Sequence, residues 1–290
     1  MLDLDDRILM AVPKKGRLKD TTLSYLKRVG ISFYQRDRFD IALCSATPLA
    51  LIFLPAKDIP LYVSDGRVSF GVTGQDMVAE HQSDVEEVLE LGFGKCRLCL
   101  AGPKAGKFVK GQWEGIQVAT SFPHLTTAYF QDRLKVKRFS IKEISGSVEI
   151  TPTLGTADAV VDLVESGSTL REAGLEIWET LMDTQAVLIG RKNLAGGEKQ
   201  WLDKIRERFI GVLTAEKHLI IDYNIHKDNL AQAEKLTPGM TAPTIMSLEQ
   251  KDWFAVRSVI LRGQMYAIIE GLKHIGAEAI LVTQMEYFQK

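Results

Sequence analysis

Short apolar segments alternate with segments of helical character along the first hundred residues. The segments "RILMAVP", "FDIALCSA", "LALIFLP" and "VSFGVTG" have the length and apolar content of strands. The segments "TTLSYLKRVG", with Thr21 or Thr22 as its N-cap, and "QDMVAEH" have the pattern of helices. This alternation predicts an α/β layer with a largely parallel sheet. Ligands of such sheets gather at the carboxyl ends of the strands, where this chain places the polar loops 14–17, 57–58 and 73–76.

A second α/β region follows and is predicted to be inserted into the first. We expect one lobe to comprise residues 1–101 and 180–213, and the other to comprise residues 102–179. Two chain crossings between the lobes would create a hinge and a cleft.

The C-terminal residues, 214–290, have the order βαββαβ and predict a separate ferredoxin-like module. This module contains no evident nucleophile or acid–base pair. Because small modules of this shape often bind effectors, we expect a regulatory role, by analogy of fold alone.

Charge and cysteine content exclude several classes of function. The net charge is −1, which argues against binding to nucleic acid or to an acidic membrane surface. The sequence contains no run of about 18 apolar residues, so no membrane span is predicted. The acidic first residues do not resemble a signal peptide. Three cysteines are too few, and odd in number, for a disulfide framework, so a reducing cytoplasmic location is expected.

A metal site built from protein side chains alone is not expected. Cys96 and Cys99 form a C-x-x-C pair, but they lie on a predicted strand, where residues i and i+3 point to opposite faces. No second cysteine pair completes a zinc site, and the histidines are scattered.

The stretch "ADAVVDLVESGSTLREAGLE" (157–176) carries the strongest signal for a binding site. A buried strand leads into Ser166, Gly167, Ser168 and Thr169, which we call the serine–glycine loop, and a helix follows. Unpaired N–H groups at a helix start attract anions, and the dipole of the helix adds to that attraction. Glycine permits close approach of the backbone. The loop is therefore a candidate phosphate site, although the same residue types also form ordinary helix caps.

Carboxylates lie beside this loop. Asp158, Asp162 and Glu165 cannot grip phosphate, but they suit ribose hydroxyls or a magnesium ion bridged to substrate phosphates. A structural alternative for Asp162 is that it accepts hydrogen bonds from buried N–H groups.

A second candidate for anion binding is the basic turn (14–17). Gly16, at the end of a strand, is surrounded by Lys14, Lys15 and Arg17. The lysines would supply point charges, and the arginine could donate two parallel hydrogen bonds to a phosphate. The turn is not a P-loop, and a solvated loop is the alternative interpretation. Arg38, Lys57 and Arg97 are weaker cationic candidates near other strand ends. The two candidate anion-binding loops lie on separate lobes, with carboxylates between them. This arrangement favours a magnesium-assisted transfer between two phosphorylated substrates.

At this level of detail the sequence resembles a known family. The segments "AVPKKGRL", "AKDIP", "GVTGQDMVAE", "LGFGKCRL", "SGSVEI", "GTADAVVDLVESGSTLREAGL" and "TPGMTAPTI" occur in order. Together they resemble the long form of ATP phosphoribosyltransferase, the first enzyme of histidine biosynthesis. The resemblance covers nearly the whole chain, and the 157–175 block is highly specific.

The resemblance implies a fold and an activity. The fold would be a two-lobed, periplasmic-binding-protein-like (type II) catalytic core with a ferredoxin-like regulatory domain. The enzyme would join N1 of ATP to C1 of 5-phosphoribosyl 1-pyrophosphate (PRPP) and release pyrophosphate, with inversion at C1. Mg²⁺ would be required and carried by the substrate phosphates. Histidine would inhibit through the C-terminal domain, and the chain would form homo-oligomers, as dimers and hexamers.

The resemblance also implies roles for individual residues. The PRPP 5-phosphate would be held by Glu165, Ser166, Gly167, Ser168, Thr169 and Leu170, and the ribose would face Asp158 and Asp162. Pyrophosphate or the phosphates of ATP would meet Lys14, Gly16 and Arg17. Lys14, Arg17, Asp158 and Asp162 would be the catalytic residues. The nucleotide would be lined by Arg38, Lys57, Asp76 and Glu149, with Arg97 nearby. Histidine would contact Asp222, Met240, Thr241 and Ala279.

One position departs from the family pattern. The family commonly has an acidic residue in G-x-x-D-x-G-x-x-G, where this chain has Ser69, so a local contact is in question. Two other functions remain open. One is a non-catalytic two-lobed module that binds a phosphorylated ligand and has an effector-sensing tail. The other is a nucleotide-responsive regulator in which the tail acts and the core is a platform.

Overall fold

The computed structural model describes Leu4 and residues 6–35, 40–105 and 107–289, without the side chains of Arg17 and Gln35. Arg38, a predicted nucleotide contact, lies outside the described residues. The chain divides into two compact units, residues 1–203 and residues 204–290.

The described strands, in chain order, are β1 (Ile8–Pro13), β2 (Phe33–Gln35), β3 (Ile41–Cys44), β4 (Leu49–Leu54), β5 (Phe70–Gly74), β6 (Val85–Glu90), β7 (Cys96–Pro103), β8 (Ile116–Thr120), β9 (Phe139–Glu143), β10 (Ala159–Val164), β11 (Leu175–Thr184), β12 (Ala186–Arg191), β13 (His218–His226), β14 (Thr244–Ser247), β15 (Trp253–Leu261) and β16 (Glu278–Gln284).

The described α-helices are α1 (Arg17–Arg28), α2 (Ile59–Ser64), α3 (Gln75–His81), α4 (Pro123–Ala128), α5 (Ser168–Glu172), α6 (Gly196–Lys217), α7 (Lys227–Leu236) and α8 (Met265–His274). A π-helical turn, Tyr129–Arg133, continues α4, and 3-10 turns occur at Val148–Ile150 and Arg262–Gln264. No helix in the described part of the chain is both long and apolar enough to cross a membrane.

The first sheet has seven strands in the order β2-β3-β4-β1-β5-β12-β6. Strands β4, β1 and β5 are parallel, whereas β12 and β6 join antiparallel at one edge. Met10, Ala11 and Val12 of β1 are fully buried, as expected for a parallel strand covered on both faces. The predicted parallel layer is therefore present, and its carboxyl ends carry the basic turn and the turn that contains Lys57.

The second sheet has five strands in the order β11-β7-β10-β8-β9. Strands β10, β8 and β9 are parallel, and β7 lies antiparallel between β10 and β11. Gly102 of β7 faces Trp178 of β11 so closely that a Cβ there would lie 2.0 Å from the indole ring. This sheet and its helices form the second lobe; the first sheet and its helices form the first.

The chain crosses between the two sheets at residues 91–95 and at Gln185. The predicted lobe boundaries were 101/102 and 179/180. The observed crossings differ because β7 pairs with β10 and β11, and because β11 stays in the second sheet up to Thr184. The helix predicted after the serine–glycine loop is only the five-residue α5, after which β11 begins.

Helix α1 begins earlier than predicted. It starts at Arg17 directly after Gly16, rather than at a threonine cap. Thr22 is instead fully buried within the helix, and its hydroxyl has no hydrogen-bond partner among the described residues. The basic turn thus leads straight into a 12-residue helix.

The C-terminal unit contains an antiparallel four-stranded sheet in the order β14-β15-β13-β16. With α7 and α8, the element order is the predicted βαββαβ. Leu219, Ile221, Tyr223 and Ile225 alternate along β13 and are buried in the core cluster of this unit. The residues between them leave the other face of the sheet partly open, as expected for period-two alternation.

Candidate functional site

A cavity of about 340 Å³ lies where the basic turn faces the end of β10. Lys15, Gly16 and Ala56 line it from the first lobe, and Leu163 and Glu165 line it from the second. Leu163 and Glu165 lie within the three residues that precede the serine–glycine loop. The two loops singled out from the sequence therefore lie at one cleft, at the carboxyl ends of their strands.

A larger cavity of about 610 Å³ adjoins the first along the hinge. Cys96 and Glu165 line both cavities, while Gln75, Arg97 and Thr184 line only the larger one. Two connected chambers, with hydroxyl, amide and charged side chains in their walls, can hold two polar ligands side by side.

The serine–glycine loop has the backbone of an anion cradle. Gly167 has φ +72°, a left-handed conformation that favours glycine. The hydroxyls of Ser166 and Ser168 lie 3.0 Å apart, and the Ser168 N–H is 3.4 Å from the Ser166 hydroxyl. The first N–H groups of α5 have no acceptor within the helix. Ser166, Ser168 and Thr169 are exposed, so their donors are accessible to a ligand.

Leu170 and Arg171 complete the loop in different ways. Leu170 is buried in one core cluster with Val164, so its side chain anchors the loop rather than contacting a ligand. Arg171 donates to the Ser166 carbonyl at 3.0 Å, which brings a positive charge to the loop. This arginine was not among the site residues predicted from the sequence, although its place one helical turn after Gly167 is a usable signal. Because α5 has only five residues, amides, hydroxyls and Arg171 contribute more here than a helix dipole.

Asp162 lies inside β10, partly buried, close to the serine–glycine loop. Burial raises the pKa of its carboxyl, and the negative charge of Glu149 raises the pKa further, while the Leu163 N–H opposes the shift. That N–H donates to the carboxylate at 2.8 Å. Asp162 and Glu149 are therefore close enough for their charges to interact.

Asp158 lies at the opposite end of β10. Its carboxylate accepts a hydrogen bond from the Gln117 N–H at 2.9 Å. The six residues of β10 lie between Asp158 and the serine–glycine end of the strand, a length of roughly 20 Å. The structure therefore does not bring Asp158 to the loop, and of these two aspartates only Asp162 lies near it.

The predicted cations differ in position. Lys14 forms an ion pair with Asp40 at 2.6 Å, with both side chains about half exposed. Lys57 is exposed in the turn between β4 and α2. Arg97 lines the larger cavity. The Arg17 side chain is outside the described set, whereas Lys15, which belongs to the basic turn but had no predicted role of its own, lines the smaller cavity.

Asp76 is placed differently from the nucleotide contact that was predicted. It is buried, and the Thr184 hydroxyl donates to its carboxylate at 2.7 Å. Burial raises the pKa of Asp76, and the hydrogen bond from Thr184 partly offsets the shift. The neighbouring Thr184 lines the larger cavity. This geometry favours an internal role for Asp76 in fixing the cavity wall.

Ser69, the departure from the family pattern, is also buried. Its hydroxyl donates to Glu198 of α6 at 2.5 Å, and Glu198 accepts a second bond from Arg191 at 2.8 Å. The carboxylate that the pattern places at position 69 is thus supplied from another element, and it stays paired with Arg191.

The described residues include no group of three or more His, Cys, Asp or Glu side chains able to hold a metal ion. Cys44, Cys96 and Cys99 are thiols that form no disulfide within the part of the chain that the structure describes. The chemistry of the cleft, with Glu165 and Asp162 near a phosphate-type loop, fits a magnesium ion that is held mainly by substrate phosphates and by one or two carboxylates.

The C-terminal unit has its own cavity of about 440 Å³. Met240 and Thr241 line it, as does Arg257, which pairs with Asp222 at 2.7 Å. Three of the four residues predicted for an effector site are therefore at or next to one cavity. Ala279 is elsewhere: it has φ +49° at the start of β16, where the pairing with β13 is irregular.

These features define a class of protein. The core is a two-lobed α/β fold of the periplasmic-binding-protein-like (type II) kind, with a polar cleft at its strand ends, and a ferredoxin-like domain follows. The fold class predicted from the sequence is confirmed.

Comparison with known proteins identifies the family. A family model described as ATP phosphoribosyltransferase matches residues 55–211, and one described as HisG, C-terminal domain, matches residues 215–287. The ATP phosphoribosyltransferase of Kluyveromyces lactis is 42% identical over 287 residues, covering 97% of this chain and 96% of its own. That of Saccharomyces cerevisiae is 41% identical over 287 residues, with the same coverage.

A solved structure agrees with these matches. The ATP phosphoribosyl transferase (HisG:HisZ) complex from Thermotoga maritima aligns with a TM-score of 0.61 and 26% identity, covering 70% of this chain and 98% of the matched one. The chain belongs to the ATP phosphoribosyltransferase family.

Proposed function

We propose that this protein joins N1 of ATP to C1 of PRPP and releases pyrophosphate, the committed step of histidine biosynthesis. Family membership supports the reaction. The observation that carries the site is the cleft in which Lys15 and Gly16 face Leu163 and Glu165, just before the serine–glycine loop.

The serine–glycine loop is proposed to hold the 5-phosphate of PRPP. Its amides, the hydroxyls of Ser166, Ser168 and Thr169, and the nearby Arg171 provide the donors. Asp162 and Glu165 would then lie beside the ribose. The basic turn, with Lys14, Lys15 and Gly16, would meet pyrophosphate or the phosphates of ATP, and the adjoining hinge cavity offers room for the second substrate.

The mechanism follows from where charge develops. As pyrophosphate leaves C1, the ribose acquires oxocarbenium character, which the carboxylates of Asp162 and Glu165 stabilise. Lysines of the basic turn stabilise the departing pyrophosphate. Magnesium carried by the phosphates would neutralise further charge on that leaving group. Adenine N1 already has a free lone pair, so no strong base is needed.

Orientation supplies much of the remaining acceleration. Two substrates held in adjoining chambers react as if in one molecule, and such positioning contributes roughly 7–11 kcal/mol in favourable cases. Attack of N1 from the face opposite pyrophosphate gives inversion at C1.

The C-terminal unit is proposed to be a regulatory domain that binds histidine. The cavity at Met240 and Thr241, with Asp222 and Arg257 next to each other, offers both charges that a zwitterionic amino acid requires. Feedback inhibition then needs a coupling free energy, typically 1–3 kcal/mol, between this site and the cleft. We also propose a cytoplasmic homo-oligomer, dimeric or hexameric, that binds neither nucleic acid nor membrane.

One assay tests the reaction. Protein mixed with ATP, PRPP and Mg²⁺ should release pyrophosphate, and free histidine should suppress that release. A non-catalytic binding module releases none, and a platform with a nucleotide-responsive tail also releases none.

A variant of the tail tests the regulatory part. Arg257→Gln breaks the pair with Asp222, so half-inhibition should need roughly 10- to 150-fold more histidine, consistent with a charge-assisted bond worth roughly 1.5–3 kcal/mol. The control is Lys227→Gln, which breaks the ion pair with Asp252 at 2.9 Å in the same unit. Unchanged inhibition in Arg257→Gln, or an equal change in the control, would contradict the assignment.

A further inference from the structure

Helix α3 follows β5 of the first sheet, yet its contacts extend to the second lobe. The Asp76 N–H donates to the Thr184 hydroxyl at 3.0 Å, and that hydroxyl donates back to the Asp76 carboxylate at 2.7 Å. Thr184 is the last residue of β11 in the second sheet. The first turn of α3 is therefore bonded to the hinge end of the other lobe.

The other end of α3 is attached more directly. Helix α4, in the second lobe, has no side-chain hydrogen bond from its own N-cap residue, Phe122. The carboxylate of Glu80 takes that place: Oε1 accepts from the His124 N–H at 2.8 Å, and Oε2 accepts from the Leu125 N–H at 2.9 Å. Glu80 is only 9% exposed. One buried carboxylate of the first lobe thus satisfies two of the free N–H groups that open a helix in the second.

Apolar packing ties α3 to both lobes, since Val78 packs against the core cluster of the first lobe. Met77 of α3 packs against the core cluster of the second lobe, which contains Leu98, Phe122 and Phe130. Two polar attachments and one apolar contact, spread over both turns of α3, therefore join this helix to the lobe that carries the serine–glycine loop.

The junction between β5 and α3 is consistent with a bending point. A Cβ at Gly74 would lie 2.2 Å from the Asp76 carboxylate, so the attachment of Asp76 requires glycine there. The next N–H, that of Gln75, donates to the Gln185 carbonyl at 3.0 Å, at the point where the chain crosses back between the sheets. Gln75, Thr184 and Gln185 all line the larger cavity, so bending here changes the shape of that cavity.

We propose that α3, attached to both lobes, is the pivot between them, with Glu80 as the positioning residue that sets the opening of the cleft. Glu80 lines neither of the two cavities described above and acts through α4 and Asp76. Its effect on substrate use rests on the proposed function, whereas its effect on the hinge does not.

The first test measures amide hydrogen exchange in the full-length protein without ligands. Glu80→Gln keeps the shape of the side chain but removes the charge and leaves one buried N–H without an acceptor. Exchange should rise at α4 and also at α3 and at 184–185, because these segments form one mechanical unit. If exchange rises only at residues 124–125, Glu80 is a local cap and the pivot is overturned.

A matched control is available within the second lobe. Glu114 also accepts from two consecutive N–H groups, those of Lys137 and Arg138, at 2.9 and 3.2 Å, but it joins no two lobes. Glu114→Gln should raise exchange only near residues 137–138. A rise at the hinge in this control would overturn the special role of Glu80.

The second test is kinetic and separates positioning from chemistry. Glu80→Gln should raise KM for PRPP about tenfold and change kcat by less than about twofold, because the preformed cleft becomes less populated. Glu80→Asp, which retains the charge, should recover part of the loss. A fall in kcat with unchanged KM would contradict the proposal. If the wild-type protein releases no pyrophosphate, the proposed function fails, and the exchange experiment still tests the pivot.

Discussion

The basic turn and the serine–glycine loop use one backbone device in two different lobes. Each follows a strand, contains a glycine with positive φ, 79° at Gly16 and 72° at Gly167, and opens a helix. The basic turn leads into a helix of 12 residues and displays lysines; the serine–glycine loop leads into a helix of five residues and displays hydroxyls. The same device therefore serves two purposes.

The two loops differ in the distance over which their interactions with a phosphate act. Attraction between lysines and phosphates acts over distance and is screened by salt, with a Debye length of about 8 Å at physiological ionic strength. Hydrogen bonds from amides and hydroxyls act only at contact and require defined geometry. We infer that the basic turn mainly attracts the negatively charged substrate and that the serine–glycine loop mainly orients it.

The largest expected effect is at the serine–glycine loop. Gly167→Asp places a carboxylate where the phosphate is proposed to bind, and we expect kcat/KM for PRPP to fall at least about 1000-fold, or roughly 4 kcal/mol. Pyrophosphate release measures it. The control is Gly174→Asp, since Gly174 also has φ +72° but faces open space at the end of α5. Equal losses in the two variants would mean that backbone strain, not the phosphate site, is responsible.

An intermediate effect is expected at the basic turn. Lys15→Ala removes a cation that lines the smaller cavity, so KM for the nucleotide should rise about tenfold at low salt. The rise should shrink at about 0.5 M salt, where the Debye length is only a few ångströms. Lys27→Ala, at the exposed far end of α1, should change nothing. A loss that is independent of salt would place Lys15 in a contact role like that of the serines.

The smallest effect concerns stability and Asp162. Because burial raises the pKa of this carboxyl, its proton is held more tightly in the folded state than in the unfolded chain. Its contribution to stability is therefore present at low pH and is lost as the pH rises through the folded pKa. Asp162→Asn removes that loss, so Tm should match wild type near pH 4 and exceed it by roughly 1–2 °C at pH 8. PRPP use should fall in the same variant. A Tm below wild type at pH 8 would show that the ionised carboxylate stabilises the fold.

Much of the fold was predictable because its strands are short and apolar. Strands β1, β4 and β5 are apolar runs between polar loops, and the βαββαβ order of the C-terminal unit was evident. Strands β6 and β11 were missed because "VEEVLE" and "LEIWETLMDT" mix acidic and apolar residues, a pattern that periodicity alone does not separate from a helix. The predicted lobe boundaries were displaced because β7, although predicted as a strand, belongs to the second sheet, and because β11 was missed.

The site was predictable only where it is local. The basic turn and the serine–glycine loop are continuous segments, so strand-end reasoning located both. Contacts between residues distant in sequence could not be predicted. Ser69 contacts Glu198, 129 positions away, and Glu80 contacts His124, 44 positions away. Such contacts depend on sheet order and helix packing, which one sequence does not specify. The sequence predicted the same role for Asp158 and Asp162, because it does not show that nearly the whole length of β10 lies between Asp158 and the serine–glycine loop.

The close fit of Gly102 and Trp178 has a consequence for how this chain can vary over evolutionary time. Any side chain at position 102 would meet the indole, and any smaller ring at position 178 would leave an empty volume in the interior. Neither residue can be substituted alone without a clash or a cavity, so related chains should either keep both residues or substitute both together.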